Sequence, residues 1–390
     1  MAVENWVSKQ IADLTEFRRD LHRNPELLYD VTRTASRVAE ALRAAGVDEV
    51  HEGIGRTGVV GIIRGRTDAS GRMIGLRADM DALPILEASG VEWASEVPGK
   101  MHACGHDGHT TMLLGAAREL AESRNFDGAV AVIFQPAEEG GAGAKAMIDD
   151  EMLTRFPMQE VYGMHNKPGL ALGEFAVCPG PIMGSVDEIR ITIEGVGGHA
   201  AFPHQTTDPL MATSALVQAV QSIVSRNLDP LKSAVISITT IHGGDAFNVI
   251  PQAIELTGTV RTLDEEVRTM VERRLSRAVQ GIADAFDAKG TLDYIRMYPV
   301  TVNDEVGAER SAAAAAEVAG AERVDTAWSP SMGGEDFSFM LNERPGAMIF
   351  VGNGPSAGLH HPAYDFNDEV IAWGCSYWTT LVRQRLRVGG

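Results

Sequence analysis

Cysteine is scarce in this chain: Cys104, Cys178 and Cys375 are the only three among 390 residues. So few thiols cannot build a disulfide framework, and they suit a reducing compartment. Long hydrophobic runs are also missing. No stretch approaches the roughly 20 apolar residues of a membrane span. The opening Met1-Ala-Val-Glu-Asn-Trp6 has no apolar core of a secretory signal, so a cytoplasmic protein is expected. Positive charge is in deficit, with 34 Lys and Arg against 53 Asp and Glu and a net charge of −19. An acidic surface repels nucleic acid and anionic membrane, and neither is expected as a partner. No internal repeat is visible.

What is present is an alternation of helical and strand patterns too long for one core. Apolar positions at helical spacing predict helices over 6–22 and 34–45, the first stopping before Pro25 and the second at Gly46. Apolar runs at 58–63, 73–78, 129–134 and 161–165 read as buried strands, with a helix at 110–123 between them. This is the pattern of an α/β domain with function at its strand ends. The character changes near Ser185. Ile189, Ile191 and Ile193 alternate with polar residues, as in a strand with one wet face. A helix at 208–226, strands at 234–241 and 253–262, a helix at 264–288 and a strand at 291–297 complete a β-α-β-β-α-β ferredoxin-like unit. The first domain then resumes with a helix at 308–319 and a strand at 347–352. The expected organisation is a catalytic domain from 1–184 and 298–390, interrupted by an inserted domain at 185–297. That insert could serve as a lid or a dimerisation surface.

The chemistry gathers in a few turns. Met101-His-Ala-Cys-Gly-His-Asp-Gly-His109 places three histidines and a cysteine in a glycine-punctuated segment. A lone Cys-x-His would more often be structural, but this density favours metal binding, with His102 and His109 as partners that orient the others. Gln135-Pro-Ala-Glu-Glu-Gly140 follows an apolar strand, where a solvated Glu-Glu pair is out of place. One carboxylate could hold a metal while its neighbour serves as a general base. His165 ends a strand, and the Leu359-His-His-Pro362 element supplies further imidazoles. Thiolate, imidazole and carboxylate together suit a pair of borderline divalent ions. The carboxylates of Ser331-Met-Gly-Gly-Glu-Asp-Phe337 are ranked behind these.

Taken together the chain resembles the metal-dependent amidohydrolases that include hippurate hydrolase, bacterial N-acyl-amino-acid deacylases and plant auxin-conjugate hydrolases. The matching elements run almost end to end: Phe17-Arg-Arg-Asp-Leu-His22, Leu76-Arg-Ala-Asp-Met-Asp-Ala-Leu-Pro-Ile85, the Cys104 and Glu138 motifs, Gly197-Gly-His-Ala-Ala201, Asn248-Val-Ile-Pro251, Gly258-Thr-Val-Arg261, Gly333-Gly-Glu-Asp336 and Leu359-His-His-Pro362. The resemblance implies a zinc-exopeptidase-like catalytic domain carrying the ferredoxin-like insert. It implies Cys104, His106, Glu139, His165 and His360 as metal ligands, with Cys104 bridging two ions and His360 chosen over His361. It further implies Glu138 as general base, Asp81 as an acid beside the metals, and His199, Asn248 and Arg261 as substrate contacts. His199 would stabilise the oxyanion, in relatives often from a partner subunit, and Arg261 would take a substrate carboxylate. Asn24 stands where many relatives have a second histidine, outside the expected site.

The expected activity is hydrolysis of the amide of an N-acyl amino acid by two divalent ions per subunit, zinc or manganese foremost, with cobalt or nickel able to substitute. A dipeptidase or N-carbamoyl amidohydrolase would use the same machinery. A non-catalytic metal-binding protein is the reading from another class, and the presence of Glu138 argues against it. A homodimer or homotetramer is expected.

Overall fold

Residues 129–135 are buried along their whole length, which requires neighbours on both edges and both faces. In the computed structural model, which describes residues 5–389, Ala129–Gln135 lies inside an eight-stranded sheet. Its order is Glu49–Ile54, Gly58–Arg64, Ala129–Gln135, Met73–Asp79, Glu160–Pro168, Gly346–Gly354, Phe175–Ala176 and Val324–Asp325. Ala129–Gln135, Met73–Asp79, Glu160–Pro168 and Gly346–Gly354 are adjacent and mutually parallel. Their carboxyl ends therefore open along one edge of the sheet, the place where open α/β sheets hold their ligands. Helices Asn5–Arg23, His106–Ser123, Glu305–Ala319 and Val370–Arg385 pack on one another to cover the sheet, and their apolar residues join its core.

The chain divides into two compact units. One is built from the residues up to Ile182, from Val302–Ser329 and from Asp336 onward; the other comprises Met183–Thr301 and Pro330–Glu335. The second unit is a four-stranded antiparallel sheet in the order Ala234–His242, Ala253–Thr262, Val186–Glu194, Lys289–Tyr298. With helices Pro209–Ser222 and Glu265–Ala285 this is a β-α-β-β-α-β unit whose strands lie in spatial order 2-3-1-4. Ile189, Ile191 and Ile193 are buried against Leu216, Val220, Val271, Leu275 and Val279 of the two helices. Asp208 and Asp264 cap those helices, accepting hydrogen bonds from the N–H groups of Leu210 and of Glu266 and Val267.

Several elements depart from the pattern. The helix after the Cys104 turn begins at His106, four residues before the expected start at Thr110. Helix Pro209–Ser222 ends in a π turn, Ile223–Asn227. The edge strand Glu49–Ile54 and helices Gly143–Asp149 and Val370–Arg385 were not anticipated.

Candidate metal centre

Each of the four parallel strands delivers a functional group to the same edge. Met73–Asp79 ends on Asp79 and leads to Asp81, Ala129–Gln135 runs into Glu138 and Glu139, Glu160–Pro168 carries His165, and Gly346–Gly354 leads to His360. Two of the resulting clusters share Cys104. Ligand atoms of Cys104, His106 and His165 lie within 4.8 Å of one another, and so do those of Cys104, Glu139 and His360. Cys104 is common to both, which is the placement a bridging thiolate requires. Glu138 adjoins the same place, within 4.8 Å of both His106 and Glu139.

The local backbone explains how these groups meet. Gly105 takes φ 91°, and a Cβ there would fall 2.3 Å from Asn166 Nδ2 and 2.5 Å from Tyr364 Oη. Only glycine lets the Cys104 turn approach this closely. Asn166 Nδ2 donates to the Cys104 carbonyl at 2.6 Å, and Tyr364 Oη donates to Asn166 Oδ1 at 2.8 Å. Ala137 and Ala142, flanking the Glu138–Glu139 turn, both take φ 55°, and His360 takes φ 62°. Such left-handed non-glycine residues cost of order 1 kcal/mol each and persist where their surroundings impose them. The Asp81 carboxylate pins the turn by accepting the N–H groups of Glu138 at 2.9 Å and Glu139 at 3.1 Å.

The histidines fall into distinct states. His165 Nδ1 donates to the Asn166 carbonyl at 2.6 Å, leaving the Nε2 lone pair 3.4 Å from Cys104 Sγ. Burial holds its pKa well below the usual imidazole value, so it is neutral and able to ligate. His109 is an outer partner. Its Nε2 accepts the Asn166 N–H at 2.9 Å, so its Nδ1 donates to Asp79 at 2.7 Å. His106 is buried with neither ring nitrogen hydrogen-bonded. Although burial opposes its charge, Asp79, Asp81 and Glu139 raise it to about 10. His102 is equally buried and unpaired, and burial lowers it to about 3. The Cys104 thiol is pushed well up by burial and then by Glu139 and Glu138.

These states fit bound cations. A buried ring without hydrogen bonds, a surplus of carboxylates around it and a thiol held neutral by burial and then by anionic neighbours would each be relieved by divalent ions.

The other expected residues lie in the second unit. His199 is exposed in a short two-stranded pair, opposite Val249, and the Asn248 carbonyl beside it accepts the Ala200 N–H at 3.0 Å. Arg261 is half-buried on Ala253–Thr262, with Nη1 donating to Thr259 Oγ1 and to the Val260 carbonyl. Sequence reasoning passed over Arg77, Asp79, Gln135 and Asn166. Arg77 and Asp79 precede the expected Asp81 at every second position of one motif, a period-two signal that could have marked them too.

The fold and these clusters of candidate ligands are those of a metal-binding hydrolase. Residues 75–384 match the family described as Peptidase family M20/M25/M40, and the chain belongs to that family. It is 42% identical over 376 residues to the hippurate hydrolase of Campylobacter jejuni, covering 96% of this chain and 97% of that one. It is 38% identical over 369 residues to an N-acetylcysteine deacetylase of Bacillus subtilis, covering 94% and 95%. Among solved structures, the Bacillus subtilis YXEP protein, a dinuclear metal-binding peptidase of the M20 family, superposes with a TM-score of 0.85 at 34% identity, covering 97% and 99%. Among the described residues no helix is long and apolar enough to cross a membrane.

Proposed function

We propose that the chain hydrolyses the amide bond of N-acyl amino acids, releasing a carboxylate and a free amino acid. The observation that carries this reading is the pair of clusters sharing Cys104, with Glu138 alongside. Relatives named for hippurate hydrolysis and N-acetylcysteine deacetylation support the substrate class. Cys104, His106 and His165 would hold one divalent ion, and Cys104, Glu139 and His360 the other. Thiolate and imidazole favour zinc, with manganese the alternative. When bound, such ions supply the Lewis acidity that makes a water acidic and polarises the amide carbonyl. Glu138 accepts the proton of the attacking water and returns it to the leaving nitrogen. His199 and Asn248 are assigned to the substrate, and Arg261 offers its planar fork to the substrate carboxylate.

A homodimer is supported by the exposed Leu231, Ile241, Phe247 and Val249 of the second unit and by the open edge of its strand Ala234–His242. Three buried, unpaired cysteines support a cytoplasmic location. The acidic charge argues against nucleic acid and anionic membrane as partners. The peptidase description of the YXEP structure keeps a dipeptidase as the second reading.

The test is hydrolysis of hippurate, N-acetyl amino acids and simple dipeptides by chelator-stripped enzyme resupplied with zinc or manganese. Metal-dependent release of free amino acid from the acylated substrates is expected. Turnover of dipeptides alone would replace this reading with the second one.

A further inference from the structure

Asp336 and Arg77 have no part in the scheme so far, yet both are hydrogen-bonded to Gln135, at the start of the turn that carries Glu138. Asp336 is fully buried. Its Oδ1 accepts Gln135 Nε2 at 2.7 Å and its Oδ2 accepts the Ala144 N–H at 2.9 Å. Gln135 is the last residue of the strand before the turn, and Ala144 lies in the first turn of helix Gly143–Asp149 after it. One carboxylate thus ties both ends of the segment 135–144, while Asp81 ties its middle through the Glu138 and Glu139 N–H groups.

Arg77 joins this clamp to the other side of the centre. Its Nη2 donates to Asp336 Oδ1 at 3.0 Å, its Nε to Gln135 Oε1 at 2.8 Å, and its Nη1 to Asp79 Oδ2 at 2.7 Å. Asp79 in turn orients His109. A buried carboxylate persists only when it is paired and hydrogen-bonded. Two of them around one guanidinium, next to a turn that is left-handed at Ala137 and Ala142, form a rigid support for whatever that turn presents.

We propose that Asp336 is the positioning residue for Glu138: by clamping both ends of the 135–144 turn it sets the placement of the base, and Arg77 locks the clamp. Asp336 is not among the expected ligands, and a carboxylate oxygen of it lies within 4.8 Å of one of Glu138. Glu139 shares the clamped turn, so metal content separates an effect on the base from one on the ligand. The inference rests on Glu138 being the general base.

A double-mutant cycle tests it in the metal-loaded enzyme. Asp336→Asn presents an N–H where a backbone or side-chain N–H must donate, so one tie is lost while volume is kept. The expected result is a fall in kcat of about tenfold or more, with KM within about twofold and metal content unchanged. In a Glu138→Gln background, where no base remains to be positioned, the same change should alter kcat by less than about twofold. Equal losses in both backgrounds, or loss of metal or a raised KM, would overturn the proposal and make Asp336 a general structural support. Should Asp336→Asn fail to fold, Gln135→Met removes the Asp336 tie, and the Arg77 bond with it, at similar length and is read by the same criteria. Near wild-type turnover of Glu138→Gln itself would instead remove the base assignment, and the positioning role with it.

Discussion

His360 Nε2 stands 3.2 Å from Glu139 Oε1, although the histidine is carried on a left-handed backbone and its side chain is half exposed, at 52%. Glu139 is almost buried beside it, and Cys104, His106 and His165 are buried outright. The two proposed ion positions therefore differ in their access to solvent.

Unequal access predicts ordered metal loss. During exposure to a chelator, the ion held by Glu139 and His360 should leave first, with activity falling in step with the first equivalent lost. His360→Ala should retain about one ion per chain instead of two and lose at least about a hundredfold in turnover. Metal analysis along a chelation time course checks both, and simultaneous loss of two equivalents would show that the positions are not independent.

Glu138→Gln should leave metal content intact and reduce kcat by at least about a hundredfold, the scale of a lost general base. Its neighbour gives the contrast. Glu139→Gln should lower metal content as well, because Glu139 lies in the cluster with Cys104 and His360. A Glu138→Gln enzyme with depleted metal would mean that the two carboxylates exchange roles.

The legible and illegible parts of this chain differ by what stabilises them. Ala129–Gln135 announces itself as a short unbroken apolar run, and Ile189, Ile191 and Ile193 as a period-two alternation, because burial on two faces or on one leaves those marks. Helix Val370–Arg385 escaped notice because it is buried on nearly every side, with aromatic and β-branched residues all round and no stripe to find. Helix His106–Ser123 starts on His-Asp-Gly-His, held by polar contacts instead of apolar burial. The cluster of site residues was visible as motifs, since ligands must be Cys, His or carboxylate. Their supports were legible only in part: the Glu335 and Asp336 carboxylates rank behind the expected ligands in the sequence, but Arg77 and Asp336 meet across 259 positions and nothing local shows that pairing.

His22 gives a pH dependence whose sign can be fixed. It is buried, with Nδ1 2.8 Å from Asp107 Oδ2 and Nε2 3.2 Å from Glu87 Oε1. Burial pushes its pKa down, but the Asp107 charge and the hydrogen bonds to Asp107 and Glu87 outweigh this and raise it from 6.5 to about 9, with Arg18 opposing. The folded state binds this proton more tightly than the unfolded chain, so its stabilisation is complete below about pH 6.5 and disappears as pH rises through about 9. Denaturant unfolding of wild type and His22→Gln should differ most near pH 6 and converge above about pH 9.5. A constant difference across that range would show that His22 is neutral in the folded protein.

Arg261 separates the proposed carboxylate clamp from a structural role. Burial lowers its pKa somewhat, but guanidinium starts so high that it stays charged. Its Nη1 is engaged by Thr259 and by a backbone carbonyl, which orients the fork without neutralising it. Removing the charge as Arg261→Ala should raise KM by about tenfold or more for substrates bearing a free carboxylate, the loss of a charge-assisted hydrogen-bonded pair. The corresponding amides should be little affected, and wild type should discriminate strongly between acid and amide. Arg261→Lys keeps the charge but not the bidentate fork, so it should recover only part of that discrimination. Equal losses on acid and amide would place Arg261 among the residues that support the strand, and the carboxylate would need another partner.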